Sequence, residues 1–187
     1  MTQALIYVMG PSGAGKDSVL QRLRETWRDL PPAAWARRTV TRAVQAGGEA
    51  HESVSELDFE RLKGAQAFAL HWQANGLHYG VRHAELAPLS SGHCVFVNGS
   101  RHHLPVLLRD WPQASLVHIC APVEVLHQRL LNRQREDGAA IAQRLAREVA
   151  LQLPAHTVQI VNDGALDLAV QALRDALRAR LSAPTPT

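Results

Sequence analysis

The stretch Val8-Met9-Gly10-Pro11-Ser12-Gly13-Ala14-Gly15-Lys16-Asp17-Ser18 places four residues between Gly10 and a Gly-Lys pair. This is the spacing of a phosphate-binding loop (P-loop), whose glycines let successive backbone N–H groups turn inward around a phosphate. An apolar run of strand type (4–9) precedes the loop, and Leu20, Leu23 and Trp27 follow it at helical spacing. The helix adds its positive N-terminal end. The sequence therefore predicts that residues 10–18 bind a nucleoside triphosphate, with Lys16 on its outer phosphates.

Asp17 occupies the position at which this motif ordinarily has a serine or threonine that binds Mg²⁺. A carboxylate is also a good oxygen ligand for Mg²⁺, so Asp17 is a candidate for direct metal binding. The alternative is that Asp17 only stabilises the first turn of the helix through the helix dipole. The sequence leaves both roles open.

The basic residues of this chain are nearly all arginines. Lys16 and Lys63 are the only lysines among 20 basic residues, and the net charge is +3. Arginine binds phosphate through two parallel hydrogen bonds, and there is no dense basic run of the kind that binds nucleic acid. We therefore expect a small polyanionic substrate and no nucleic-acid partner.

The composition is that of one globular domain, since 46% of the 187 residues are hydrophobic and 20% are charged. Cys94 and Cys120 lie in apolar, strand-like runs, which predicts buried thiols in a reducing compartment. No signal peptide and no membrane-spanning run is recognisable. We expect a cytoplasmic protein without a membrane partner, and the oligomeric state is left open.

Strand-like and helix-like segments alternate along most of the chain. The predicted strands are 4–9, 36–42, 68–72, 77–81, 93–97, 116–120 and 158–161. The predicted helices begin at Lys16, Glu56, Pro105 and Pro122, one more runs through Leu153, and the last covers 166–181. Alternation predicts an α/β fold with a mainly parallel sheet, the three-layer fold of P-loop NTPases, with ligands beyond the carboxyl ends of the strands.

One segment interrupts this alternation. Asn75-Gly76 between two apolar runs predicts a β-hairpin, so that about 41–89 forms a small antiparallel insert that binds substrate. We expect a single domain over 1–187, with its core at 1–40 and 90–187 and a polar helical lid at about 132–142.

Three sets of polar residues are candidates for phosphoryl transfer. Like the P-loop, Asn98-Gly99-Ser100-Arg101 and Asn162-Asp163 follow predicted strands, so all three stretches should lie on one face. The insert offers Arg42, Tyr79 and Arg82 to a phosphate-bearing substrate. The lid offers Arg133 and Arg135, and the next helix Arg144, to neutralise charge on the transferred phosphoryl group. For any single arginine, the alternative is a solvated surface charge.

The chain resembles the guanylate kinase family from end to end. The resemblance is carried by the P-loop, Thr41-Arg42, Gly48-Glu49, residues 75–81, Arg129 with Arg133 and Arg135, and Val161-Asn162-Asp163. It implies Mg²⁺-ATP as donor, a phosphate group as acceptor, and a core, a lid and a nucleotide-monophosphate-binding insert. It also adds Glu49 to the substrate-binding residues.

Four positions depart from that family and decide the substrate. Guanylate kinases have a glutamate, a tyrosine, a second arginine and an acidic residue where this chain has His71, Ser55, Gln45 and Asn98. A site that hydrogen-bonds a base discriminates by a factor on the order of 10⁴ to 10⁵, so the loss of its carboxylate acceptor removes the main reason to expect guanine.

The same departures resemble a narrower family, the ribose 1,5-bisphosphate phosphokinases. The shared pieces are the Lys-Asp-Ser end of the P-loop, residues 72–77, Val97-Asn98-Gly99-Ser100-Arg101 and Leu145-Ala146-Arg147. This resemblance implies an enzyme that makes phosphoribosyl diphosphate (PRPP) in phosphonate breakdown. The alternatives are a guanylate or other nucleoside monophosphate kinase and, in another class, a non-catalytic protein-interaction module of guanylate kinase-like fold.

Overall fold

The computed structural model describes residues 4–43, 50–132 and 152–182, which form nine strands and six α-helices. The strands are β1 Ala4–Met9, β2 Ala33–Trp35, β3 Arg38–Val40, β4 Glu52–Ser53, β5 Phe68–Ala74, β6 Leu77–Arg82, β7 Cys94–Asn98, β8 Ser115–Cys120 and β9 Val158–Val161. The helices are α1 Lys16–Thr26, α2 Glu56–Gly64, α3 His83–Leu86, α4 Leu104–Asp110, α5 Val123–Asn132 and α6 Leu166–Ser182, with 3-10 turns at Ala87–Ser91 and Arg101–His103.

The strands form two sheets. The larger sheet has the order β2-β7-β1-β8-β9, and the pairs β2–β7 and β8–β9 are parallel. The smaller sheet has the order β4-β3-β6-β5, in which β3, β6 and β5 are antiparallel. The predicted α/β fold with a mainly parallel sheet is confirmed.

The contacts within the chain divide it into two compact units. The unit that contains residues 4–7, 29–43 and 50–115 is called the hairpin unit, and the unit that contains 8–28, 116–132 and 152–182 is called the P-loop unit. The chain crosses between the two within β1.

The core of the P-loop unit is built from apolar stripes on its two long helices. In α1, Val19, Leu20 and Leu23 are buried. In α6 the buried stripe is Ala169, Val170, Leu173, Leu177 and Leu181, the spacing of one helix face. The two helices pack together, and Arg22 of α1 donates a 2.7 Å hydrogen bond to Asp167 of α6.

The hairpin unit is shaped by a tight turn and a capped helix. Asn75 and Gly76 have φ angles of 52° and 73°, as the two-residue turn between β5 and β6 requires. At the start of α2, the Ser55 hydroxyl accepts a 3.1 Å hydrogen bond from the Asp58 backbone N–H. These features confirm the predicted hairpin and the predicted start of α2.

Three short strands differ from the prediction. The strand predicted for 36–42 is limited to β3, and β2 was not predicted. The chain stops pairing with β7 after the Ala36 N–H, which bonds the Phe96 carbonyl at 2.9 Å. The next N–H, that of Arg37, bonds the Glu85 carboxylate. The residues on either side of this point therefore belong to two different sheets. β4 was also missed, because a two-residue strand carries no periodic signal.

Both thiols are reduced, and burial raises the pKa of each. Cys94 is fully buried in β7, as predicted, whereas Cys120 at the end of β8 is only half-buried. Among the helices that the structure describes, none has both the length and the apolar character needed to span a membrane.

Candidate active site

The P-loop runs from the end of β1 to the start of α1. Gly15 precedes α1 in the left-handed conformation (φ 79°), and no side chain caps this end of the helix. A Cβ at Gly10 would overlap the Ile119 carbonyl of β8, so only glycine fits there. The first N–H groups of α1 therefore face the loop, in the arrangement that binds phosphate at a helix N-terminus.

Lys16 lies back over this loop. Its Nζ donates hydrogen bonds to the carbonyl oxygens of Gly10 and Pro11, both at 2.9 Å. The ammonium group is thereby held over the same loop whose N–H groups suit phosphate oxygens. Its contact with the outer phosphates stays a prediction.

Asn162 and Arg129 fix the P-loop from neighbouring elements. Asn162 follows β9, is buried, and donates from Nδ2 to the Ala14 carbonyl at 2.8 Å. Arg129 of α5 donates from Nη1 to the Asn162 carbonyl at 2.9 Å and to the Gly13 carbonyl at 3.5 Å. The structure thus brings Asn162 to the loop, whereas Asp163 is exposed beside it. Arg129 was noted only as part of a family motif, because its contacts lie far away in sequence.

Asp17 and Ser18 are exposed on the first turn of α1. No group of three histidine, cysteine, aspartate or glutamate side chains arranged for a metal ion is found in 4–43, 50–132 or 152–182. Metal binding by Asp17 stays a prediction.

Tyr79 of the hairpin unit lies in an aromatic cluster. Its ring stacks on Trp72 across the β5–β6 pair, with ring centroids 5.6 Å apart and planes 4° from parallel. The Arg38 guanidinium lies over the tyrosine ring, 5.2 Å from its centroid. His103 packs against Trp72 at 5.5 Å.

Arg42 and Arg82 line a cavity of about 640 Å³ in the hairpin unit. The Arg42 Nε is buried and has no hydrogen-bond partner among the residues described. Arg61 of α2 also lines the cavity and pairs with Asp58 at 3.3 Å. Sequence reasoning missed Arg61, because its spacing from Asp58 reads as an ordinary surface ion pair of a helix.

Arg82 is bound by a carboxylate within the sheet. Its Nε and Nη2 donate to the two Glu52 oxygens at 2.9 and 2.7 Å, and Thr39 donates to the same carboxylate at 2.7 Å. Burial raises the pKa of Glu52, but these hydrogen bonds and the charge of Arg82 outweigh it and hold the pKa below its usual value. Arg82 therefore carries a charge that is already balanced.

The stretch Asn98-Gly99-Ser100-Arg101 is held by Tyr7 of β1. The fully buried Tyr7 hydroxyl accepts from the Ser100 N–H at 2.8 Å and donates to the Ser100 carbonyl at 3.0 Å. Burial raises the pKa of Tyr7 above its usual value. A Cβ at Gly99 would overlap the tyrosine ring. Tyr7 was read as a core strand residue, and no sequence signal separates it from its apolar neighbours.

The remaining predicted site residues differ in burial and direction, and some lie outside the described residues. Asn98 is buried at the end of β7, and Arg101 is half-buried, so that desolvation lowers the pKa of its guanidinium. Tyr79 and Arg82 lie three residues apart on β6 and therefore point to opposite faces of the sheet. Glu49, Arg133, Arg135 and Arg144 lie outside the described residues.

The fold and the P-loop define the class, a P-loop kinase of guanylate kinase-like fold. The structure is similar to guanylate kinase from Anaplasma phagocytophilum, with a TM-score of 0.68 and 18% identity over 96% of this chain and 87% of that one. It is also similar to a gluconokinase from Sinorhizobium meliloti 1021, with a TM-score of 0.52 and 17% identity over 96% and 94%. No protein-family model matches the chain.

Curated relatives narrow the class. Proteins named ribose 1,5-bisphosphate phosphokinase PhnN from Pseudomonas paraeruginosa PA7 and Azotobacter vinelandii are 45% and 42% identical over 92% and 96% of this chain, and 94% and 98% of their own. One from a Janthinobacterium species is 43% identical over 93% of this chain, which spans only 39% of that longer protein. The chain belongs to the ribose 1,5-bisphosphate phosphokinase (PhnN) family, as the sequence predicted.

Proposed function

We propose that this enzyme transfers the γ-phosphoryl group of ATP to the 1-phosphate of ribose 1,5-bisphosphate. An oxygen of the acceptor's 1-phosphate forms the new bond to the γ-phosphorus, and the bond from that phosphorus to the β-γ bridging oxygen breaks. The products are ADP and 5-phospho-α-D-ribose 1-diphosphate (PRPP). The observation that carries the proposal is a P-loop with Lys16 lying over its carbonyls, in a chain of the PhnN family.

The donor side consists of residues 10–18 with Asn162 and Asp163. The α1 N–H groups and Lys16 bind the outer phosphates, and Asn162 keeps the loop in place through Ala14. Arg133, Arg135 and Arg144 are proposed to neutralise charge that spreads over the transferred group. Because an acceptor phosphate oxygen is already nucleophilic, the reaction needs positioning and charge stabilisation rather than a general base.

The acceptor side belongs to the hairpin unit. Arg42 and Arg101 are proposed to bind its phosphates, together with Tyr79, Glu49 and the backbone of Asn98-Gly99-Ser100. Arg42 suits this role because its Nε is a buried donor without a hydrogen-bond partner among the described residues. Arg82, also proposed from sequence, lines the Arg42 cavity while its charge is balanced by Glu52.

Mg²⁺ is the proposed metal cofactor. When bound, Mg²⁺ would neutralise phosphate charge, and Asp17 is the carboxylate proposed to hold it. If Asp17 is a ligand, Asp17→Ala raises the Mg²⁺ concentration needed for half-maximal activity. If Asp17 acts only on the helix dipole, the Mg²⁺ titration is unchanged and only the thermal stability falls.

The test is ADP release from Mg²⁺-ATP, with ribose 1,5-bisphosphate and GMP offered separately. We expect turnover with the sugar bisphosphate and PRPP as the product. Turnover with GMP alone would mean that His71 and Ser55 still allow a guanine site, and would overturn the proposed substrate. No turnover with either would favour the non-catalytic interaction module.

The proposed setting is the cytoplasm, where the product would supply PRPP during phosphonate breakdown. Growth on a phosphonate as the phosphorus source, with and without the gene, tests this setting. Unimpaired growth of the deletion strain would instead indicate another route by which the product is used or made.

A further inference from the structure

The cavity of the hairpin unit, called the α2 cavity, is lined by residues of α2, β4 and β6 and of the chain that follows β3. Helix α2 covers one face of the smaller sheet, where Phe59 contacts Phe68 at 4.7 Å and His78 at 5.3 Å between ring centroids. Arg82 alternates with His78 along β6 and therefore lies on the same face. Small-molecule sites commonly have volumes of about 300–1,000 Å³, so a cavity of about 640 Å³ can hold a sugar phosphate.

The charged groups of the α2 cavity are mostly cationic. Arg42, Arg61 and Arg82 line it. The charge of Arg82 is balanced by Glu52 and that of Arg61 by Asp58, whereas Arg42 has no carboxylate partner among the residues that the structure describes. The described walls therefore carry one positive charge in excess, which favours an anion in the cavity.

The α2 cavity also offers hydrogen-bond donors to an anion. The Arg42 Nε is buried and has no hydrogen-bond partner in the described part of the chain, which costs free energy unless a ligand accepts this bond. Thr41 lines the cavity too, and its hydroxyl accepts a 2.9 Å hydrogen bond from the His78 N–H, so that its own proton is available for donation. Phosphate oxygens accept hydrogen bonds, so these groups suit a phosphate.

Arg61 is held only weakly at the wall of this cavity. Its side chain is 70% exposed, and within the described ranges its hydrogen bonding is one 3.3 Å contact from Nη1 to Asp58 Oδ1. An exposed ion pair three residues apart on a helix stabilises little, so exchange of the carboxylate for a phosphate dianion costs little. Asp58 keeps a partner after such an exchange, since it also accepts from the Ser55 hydroxyl at 2.6 Å.

We propose that the α2 cavity binds one of the two phosphates of the acceptor, and that Arg61 donates to this phosphate beside Arg42. The Asp58 carboxylate competes with the phosphate for Arg61. Tyr79 points to the opposite face of the sheet and takes no part in this contact. The inference rests on the proposed function and adds helix α2 to its acceptor side.

The first experiment compares Arg61→Gln with Lys63→Gln. Both residues lie on α2 and form a 3.3 Å ion pair with the acidic residue three positions earlier, but Lys63 does not line the cavity. We expect Arg61→Gln to raise the KM for ribose 1,5-bisphosphate at least about fivefold, as for loss of a charged hydrogen bond at a partly exposed site, with the KM for ATP unchanged. Lys63→Gln should stay within about twofold of wild type. An Arg61→Gln enzyme with the KM of Lys63→Gln would overturn the role of Arg61.

The second variant, Asp58→Asn, should have the opposite effect. It removes the charge that competes with the phosphate, while asparagine can still accept a hydrogen bond from Ser55. We expect the KM for ribose 1,5-bisphosphate to fall about two- to fivefold. Mere damage to α2 would instead raise the KM in both variants. A KM for Asp58→Asn at or above that of wild type would overturn the competition between Asp58 and the phosphate.

Calorimetric titration with ribose 1,5-bisphosphate in the absence of ATP separates this inference from the proposed function. Arg61→Gln should raise the Kd by the same factor as the KM. An unchanged Kd in a variant of an active enzyme would overturn the α2 cavity as the phosphate site. Binding that depends on Arg61 in a wild-type enzyme that forms no PRPP would overturn the proposed function and leave the phosphate site standing. A wild-type enzyme that neither binds nor converts ribose 1,5-bisphosphate would overturn both.

Discussion

The Nζ of Lys16 donates to the Gly10 and Pro11 carbonyls, so this side chain is held by the loop with which it is expected to bind phosphate. Lys16→Ala should abolish ADP release, because no other described side chain brings a positive charge onto the outer phosphates from this loop. The fold should persist, as the lysine is only partly buried. Lys63→Ala, at the other lysine of the chain, is the matched control and should retain activity. If the Lys16→Ala variant has the melting temperature of wild type and still shows measurable turnover, the P-loop assignment is contradicted.

Gly99 is fixed by its neighbour rather than by its backbone conformation. A Cβ there meets the Tyr7 ring, so Gly99→Ala should lower the free energy of unfolding by about 1–3 kcal/mol and displace Ser100. Gly64→Ala meets nothing within 4 Å and should be neutral or stabilising, since alanine favours helix α2. Urea denaturation of both variants measures this difference in the free energy of unfolding. Equal free energies for Gly99→Ala and Gly64→Ala would show that the Tyr7 ring moves aside without cost.

At the scale of single residues, the sequence indicates the chemistry of a side chain better than the direction in which it points. Residues 10–18 and Asn162 could be assigned because their motif fixes their place relative to a strand and a helix. Arg82 and Tyr79 were grouped because both belong to the predicted insert, but side chains three residues apart on a strand point to opposite faces. Tyr7 and Arg61 could not be found, since their roles depend on contact with the stretch after β7 and on the position of α2 beside a cavity.

Among the elements, those with strong local signals were predicted well. The strand 158–161 coincides with β9, the helix 166–181 differs from α6 by one residue, and Asn75-Gly76 forms the predicted turn. Strands β2 and β4 were missed because they are three and two residues long and exist through pairing with β7 and β3. Such strands are determined by their neighbours and not by their own periodicity.

The contact between β4 and β6 depends on the ionisation of Glu52. Because the folded-state pKa of Glu52 lies below its unfolded value of about 4.3, its stabilising effect is present above that value and is lost as the pH falls through the folded pKa. Glu52→Gln should therefore lose stability at pH 7 and show a shallower decline in melting temperature below pH 4.5.

Glu124→Gln, at an exposed glutamate on the first turn of α5, is the control for that measurement. It should keep the wild-type pH profile. A Glu52→Gln profile parallel to wild type would mean that the ion pair with Arg82 contributes nothing to acid stability.

Across the whole molecule, the two proposed substrates should protect different parts of the chain from hydrogen exchange. ATP alone should slow exchange at residues 10–18 and near Asn162, in the P-loop unit. Ribose 1,5-bisphosphate alone should slow it at β3, β6 and residues 98–101, in the hairpin unit. Protection of the P-loop unit alone by the sugar bisphosphate would contradict the proposed acceptor side.

The fold class was predictable because alternation of strands and helices is a property of the whole chain. The division into two units was not, because it is discontinuous in sequence and crosses β1 between Tyr7 and Val8. No local pattern marks a boundary inside a strand whose six residues are all buried.

The sheet order also has a consequence for synthesis on the ribosome. Among the described strands β1 is made first, yet its neighbours in the sheet are β7 and β8. A nascent chain must therefore extend past Asn98 before the apolar Ala4–Met9 segment can find its first partner. Until then this segment lacks both strands that flank it in the folded sheet, and the P-loop that follows it cannot reach the Ile119 carbonyl against which Gly10 packs.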